Sequence, residues 1–202
     1  MTFLEYLLRS DALYLGERPK GNIFKPCIKT IPFTQITGAL RKKFEIDDIK
    51  AVGYLVEDED FNQPNYLIYS PRDRYSNLSK IPLQVEFLTN VLAKVFVLKT
   101  ESTERLPENF EIVMGGLKSK GFGSCTLEKQ KEISAQKFIP GTLRVRIPEE
   151  EVSSFGIKRV LRPVYGYLFK PTPHTFTGVY VRSLFEGSEV VGPEFLLEPL
   201  GG

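Results

Sequence analysis

Residues 3–15 alternate apolar and polar side chains and are rich in Leu, Tyr and Phe, the two-residue period of a half-buried strand. The period changes beyond a Gly- and Pro-containing stretch, residues 16–29. In Ile31-Pro32-Phe33-Thr34-Gln35-Ile36-Thr37-Gly38-Ala39-Leu40-Arg41-Lys42-Lys43-Phe44, the residues Phe33, Ile36, Leu40 and Phe44 recur at intervals of three, four and four, so they share one helical face. Thr34 is the expected N-cap, and Arg41, Lys42 and Lys43 fall in the last turn, where they complement the helix dipole. Gly38 costs about 1 kcal/mol relative to alanine inside a helix, which points to close backbone packing there.

Further along, residues 49–56 read as a strand, 57–64 as an acidic turn and 66–69 as the partner strand. Two β-branched and aromatic runs, 83–88 and 93–98, are predicted to pair with each other. Residues 103–110 carry only a weak helical signal. Residues 122–129, 142–147 and 160–169 read as strands, the last pairing with 175–185 through the turn Pro171-Thr172-Pro173-His174. Many short strands with few helices predict an α+β fold built on an antiparallel sheet.

Composition narrows the function classes. The chain has 202 residues, enough for one globular domain and its core without disulfide or metal staples. No apolar run approaches the ~18–20 residues of a membrane span. Residues 3–8 are interrupted by Glu5 and closed by Arg9, too short and too charged for a signal peptide, so a cytoplasmic protein is expected. Cys27 and Cys125 lie far apart with no CxxC and read as buried small hydrophobes. The single histidine, His174, excludes every two-histidine metal motif and, flanked by prolines, reads as a turn residue.

Charge changes the picture. The net charge is only +2, yet it is unevenly spread. Residues 18–44 hold Arg18, Lys20, Lys25, Lys29, Arg41, Lys42 and Lys43 with no acid. Residues 113–147 hold seven basic residues against Glu128 and Glu132, and residues 152–185 hold five with no carboxylate. The acid is concentrated in Glu57-Asp58-Glu59-Asp60. One reading is a basic face for a polyanion and an acidic side for protein partners; the other is a set of solvated faces.

The stretch Gly115-Gly116-Leu117-Lys118-Ser119-Lys120-Gly121-Phe122-Gly123 suits phosphate binding, since glycines permit close approach and the lysines and Ser119 supply donors. It is not a P-loop, because Phe122-Gly123 stands where Lys-Ser/Thr must follow. It is not a dinucleotide fingerprint either, because Thr126 replaces the third glycine. Phe122 can stack a base or pack on a sugar. The same glycines also fit a tight turn that merely closes a hairpin.

Ile31-Pro32-Phe33-x-x-Ile36-x-Gly38-Ala39-Leu40-Arg41, about 75 residues ahead of that glycine-rich loop, resembles the RAMP superfamily of CRISPR-associated RNA-binding proteins. Arg162-Pro163-Val164-Tyr165-Gly166 and Gly187-Ser188-Glu189-Val190 are similar to segments near the end of those subunits. The resemblance implies a ferredoxin-like (RRM-like) core with an antiparallel sheet, inserted β-hairpins and the glycine-rich loop. The matched positions run from Phe3 to Val190, and the expected organisation is one domain, 1–202, with a C-terminal β-rich extension over about 140–202. It also implies CRISPR RNA and other effector subunits as partners, no membrane association and no cofactor.

Within that family, target-cutting subunits carry an aspartate in the loop after the first strand. Here residues 16–31 contain only Glu17 as a carboxylate, with Asn22 the nearest polar analogue. Processing endonucleases use an early histidine, and this chain has none. The expected function is therefore a non-catalytic, type III-like guide-RNA subunit, with the 5′ repeat handle favoured as its ligand by the short length and the tail. Phosphate contacts are assigned to Lys118, Ser119, Lys120 and the amides of Gly116 and Gly121, followed by Phe122 and Gly123. Arg41, Lys42, Lys43, Arg18 and Lys20 extend the track. The alternative is a metal-independent endoribonuclease that processes precursor RNA, in which Tyr14 with Lys20 or Lys25 would act. A third reading is a protein-interaction module that does not touch RNA.

Overall fold

The computed structural model describes residues 1–16, 23–73, 75–172 and 177–200. Alternation in β1 (Thr2–Leu13) sets the layering. Leu4, Tyr6 and Leu8 enter one apolar cluster and Phe3 enters another, all fully buried, because successive side chains of a strand leave on opposite faces. β1 is thus the centre of a sheet covered on both sides.

After β1 come the two-residue β2 (Phe24–Lys25), the helix α1 (Phe33–Phe44), β3 (Ala51–Leu55), β4 (Gln63–Tyr69), β5 (Leu83–Leu98), β6 (Asn109–Val113) and β7 (Ser124–Ser134). These form one seven-stranded sheet, ordered β3-β5-β1-β7-β6 through its core. Both neighbours of β1 run antiparallel to it. The remaining strands are β8 (Phe138–Leu143), β9 (Ile147–Pro148), β10 (Arg159–Arg162), β11 (Tyr165–Pro171), β12 (Gly178–Leu184), β13 (Glu189–Pro193) and β14 (Leu197–Pro199). They make two smaller sheets, β10-β13-β8-β14 and β11-β12-β9.

α1 lies on one face of the large sheet, where Ile36 and Leu40 pack among Leu4, Tyr6, Val95 and Val97. On the other face, Phe3, Val52, Tyr54 and Phe96 meet Leu143, Ile147, Phe155, Leu168 and Leu196 from the later strands. The apolar area removed from water by these two clusters is the main driving force for the fold. This is an α+β architecture, mostly sheet, with one α-helix among the described residues.

Several details differ from the sequence-based expectation. Residues 83–88 and 93–98 do not pair with each other but are two parts of the single strand β5. A polar break in an apolar run reads as a turn; here Asn90 takes φ 49°, a left-handed conformation that asparagine tolerates, and bends the strand without ending it. Residues 66–69 do not pair with β3 either, since β3 and β4 line up end to end along the same edge of β5. Asn62 fills the gap between them, donating from Nδ2 to the carbonyls of Val56 (2.8 Å) and Leu92 (3.0 Å) and accepting from the Leu92 amide (3.0 Å). Residues 160–169 contain two strands, β10 and β11, rather than one. The expected pairing with the chain that follows holds for β11 and β12.

The helix begins at Phe33 with Pro32 at its N-cap and no side-chain cap, so Thr34 does not cap it. The Phe33 amide instead donates to the Arg146 carbonyl at 3.1 Å. Thr37 and Arg41 clip α1 to the start of β3, through the Ala51 carbonyl and amide (3.0 Å each) and the Ile49 carbonyl (3.0 Å). Cys27 and Cys125 are free and buried. No helix among the described residues is long and apolar enough to cross a membrane.

Candidate nucleic-acid interface

The glycine-rich segment is the connection between β6 and β7, closed by the Met114 amide donating to the Gly123 carbonyl at 3.0 Å. Its glycines are conformational necessities. Gly123 has φ +88°, and a Cβ there would lie 2.0 Å from the Met114 carbonyl oxygen. At Gly116 a Cβ would lie 2.8 Å from the Tyr14 ring, so the loop backbone rests directly on that tyrosine. Between these anchors Lys118–Lys120 form one 3₁₀ turn.

This packing corrects part of the sequence-derived site. The Gly116 amide donates to the Tyr14 carbonyl (2.9 Å) and the Gly121 amide to the Lys118 carbonyl (3.1 Å), so neither is offered to a ligand. Phe122 is half-buried and edge-on to Phe87 with ring centroids 4.7 Å apart, a contact that ties the loop to β5. Lys120 sits 4.4 Å from the centre of the Tyr69 ring. Arg41 is turned towards Ile49. Ser119 and Lys43 are exposed, and neither lines the groove described next. Arg18 and Lys20 lie outside the described residues, as do Glu17, Asn22 and His174.

A groove of about 1120 Å³ is lined by the outer stripe of α1, residues 113–118 leading into the glycine-rich loop and the β11–β12 hairpin, with Tyr14, Lys25, Tyr69 and Val85 also on its surface. It is somewhat larger than the ~300–1,000 Å³ of ordinary small-molecule pockets. α1 contributes Thr34, Gln35, Gly38, Ala39 and Lys42, positions spaced by three and four and therefore on one side of the helix. Gly38 does not pack closely, since an added Cβ would find no heavy atom within 4 Å beyond its chain neighbours and the helix's own backbone. Its small size keeps the groove wide instead.

The groove's charge is one-sided. Lys25, Lys42 and Lys118 line it, and no aspartate or glutamate does among the described residues. Lys118 donates to the Val113 carbonyl at 3.0 Å. Burial first, and then the nearby positive charge of Lys42, push the Lys118 ammonium below the ordinary lysine range. Two like charges held together in a partly desolvated place are unfavourable alone and favourable once an anion lies between them. Gln35, also on the wall, has a side-chain carbonyl oxygen that is buried without a partner.

The remaining basic windows are largely paired. Arg144 meets Glu57 (2.9 Å), Lys137 meets Glu194 (2.6 Å) and Arg162 meets Glu189 (3.2 Å). Arg146 forms a two-pronged contact with Glu186, 2.6 Å on each side. Charge counted along the chain therefore overstates what is available to a ligand. Tyr14, named from sequence for the endonuclease alternative, lines the groove, and sequence reasoning missed the other tyrosines there, Tyr69, Tyr167 and Tyr180. Burial first, and then Cys27 and Tyr69, push the Tyr14 hydroxyl up to about 12, which makes it a poor general base near neutral pH.

No family model matches the chain, and no curated protein matches it in sequence. Solved structures do match its shape. A chain from the cryo-electron-microscopy structure of the Type III-B Cmr-beta bound to cognate target RNA and AMPPnP superimposes with a TM-score of 0.61, and one from the structure bound to cognate target RNA with 0.60. Each is 10% identical in sequence, and each alignment covers 93% of this chain and 86% of the other. This chain therefore shares its fold with chains of the Type III-B Cmr-beta complex.

Proposed function

We propose that the chain is a RAMP-type, RNA-binding subunit of a type III-like CRISPR effector. It holds the guide-RNA backbone or its 5′ repeat handle along the groove and performs no chemistry of its own. The observation that carries this reading is the placement of Lys42 and Lys118, together with Lys25, around one groove that no carboxylate lines among the described residues. The shared fold supports it, and the strand order β3-β5-β1-β7 with α1 after β1 is read here as a ferredoxin-like core in which a turn, residues 101–105, stands in place of the second helix. In this reading β4 and the first half of β5 are the inserted hairpin, and residues from about 140 onward form the C-terminal extension.

The binding mechanism is electrostatic. Phosphates displace counterions at Lys42 and Lys118, and each contact adds about 0.7 to the salt slope for a single strand. In a fluorescence-anisotropy titration of single-stranded repeat RNA, Lys42→Ala/Lys118→Ala is expected to lower the slope of log K against log salt by about 1.4. An unchanged slope in the folded double variant removes the groove from the RNA path. Repeat RNA incubated with the protein in EDTA should stay intact; a discrete product would assign the processing endonuclease instead.

A further inference from the structure

The β11–β12 hairpin carries more exposed aromatic surface than its own folding uses. Register places Tyr167 opposite Arg182 and Phe169 opposite Tyr180, so these four side chains share one face of the ribbon. Tyr167 is 65% exposed and Tyr180 55%. Phe169 and Tyr180 pack edge to face with centroids 5.5 Å apart, and the Arg182 guanidinium lies 3.8 Å over Tyr165. Tyr167, Phe169 and Tyr180 line the same groove as Lys42 and Lys118.

The charge on this hairpin is already met. Lys170 pairs with Glu150 at 3.0 Å and Arg182 with Glu149 at 3.6 Å. The hairpin therefore adds ring surface to the groove rather than positive charge, and the opposite wall supplies the cations. A ligand that satisfies both walls has anionic groups along one side and flat apolar faces along the other, which describes a single strand with unpaired bases. A duplex hides those faces, and an acidic peptide offers them only where aromatic side chains happen to alternate with its carboxylates.

Resting on the RNA-binding reading above, we infer that the β11–β12 hairpin is a base-stacking platform. Tyr167 and Tyr180 receive unpaired bases of a single strand whose phosphates run past Lys42 and Lys118. Stacking is indifferent to base identity and nearly indifferent to salt, so the two walls separate in measurement.

The test titrates the full chain with a short oligouridine and with an abasic ribose-phosphate oligomer of equal length. Wild type should prefer oligouridine. Tyr167→Ala/Tyr180→Ala should lose about 5- to 150-fold in oligouridine affinity for each base stacked, with an unchanged salt slope and unchanged abasic binding. Tyr167→Phe/Tyr180→Phe, which keeps the rings, should bind as wild type. The chain has no tryptophan, so tyrosine emission can be followed directly, and its quenching by oligouridine should shrink in the alanine variant. Both side chains are mostly solvent-facing, and circular dichroism checks that the variants are folded.

Equal binding of the two oligomers by wild type, with a salt slope that still falls in Lys42→Ala/Lys118→Ala, overturns the platform and leaves the groove reading standing. A folded alanine variant that binds oligouridine like wild type but no longer joins neighbouring effector subunits assigns the rings to a protein contact, and also overturns it. Absence of salt-dependent binding to either oligomer overturns both readings.

Discussion

Gly38 separates stability from binding in a way few positions allow. It lies in the interior of α1, and beyond its chain neighbours and the helix's own backbone no heavy atom would come within 4 Å of a Cβ built on it. Glycine there costs about 0.8–1.0 kcal/mol of helix stability relative to alanine, and nothing in the surroundings returns that amount. Gly38→Ala should therefore stabilise the protein by nearly that much, a rise in Tm of about 2–4 °C for a chain of this size. Gly38→Met should keep most of the gain, because methionine is also a good helix former. Its side chain would, however, occupy the groove beside Lys42, one turn away on the same wall. Thermal unfolding followed by circular dichroism reads the first effect, and RNA titration reads the second. The expected pattern is a higher Tm in both variants, near-normal RNA affinity for alanine and at least about a tenfold loss (about 1.4 kcal/mol) for methionine. A lower Tm for Gly38→Ala would refute the claim that the site is open. A Gly38→Met protein that is more stable and binds RNA normally would refute the groove as the binding path.

Two further outcomes follow from the packing. Gly123→Ala should destabilise the protein by about 2 kcal/mol or more, from its positive φ and the 2.0 Å approach to the Met114 carbonyl; an unchanged urea midpoint would contradict the loop geometry. Burial pushes the Cys27 and Cys125 thiols up to about 11, so iodoacetamide at pH 8 should alkylate the native chain slowly and the urea-unfolded chain fast. Rapid labelling before unfolding would show that the two thiols are not where the fold places them.

What could be read from sequence was local. The period of β1, the apolar face of α1 and the turn-like glycines at 115–123 are each written in neighbouring residues. So was the β11–β12 hairpin, whose strands lie close in sequence. What could not be read depended on distant partners. β5 looks like two strands because Asn90 interrupts its apolar run, and its continuity shows only in distant partners, β1 along one edge and Asn62, thirty residues before Leu92, on the other. The charge windows failed for the same reason. Arg144 and Glu57 lie 87 positions apart, and their contact removes a cation that a window count credits to a ligand. The contact of Phe122 with Phe87 joins residues 35 positions apart and is likewise invisible in the local sequence. The lysines that converge, Lys25, Lys42 and Lys118, are divided between two windows and become one site only through the sheet.

The central position of β1 bears on how the chain is made. Its pairing with β7 joins Thr2 to Ser134 and Arg9 to Thr126, so one edge of this apolar strand stays open until well over a hundred further residues have been synthesised. At about 5–20 residues per second that interval is roughly 6–26 s, long compared with the microseconds in which a local hairpin closes. During it the nascent chain presents an unpaired, hydrophobic edge of the kind that recruits other strands. Production of this protein should therefore respond to holding chaperones and to slower growth temperature more than its finished stability would indicate.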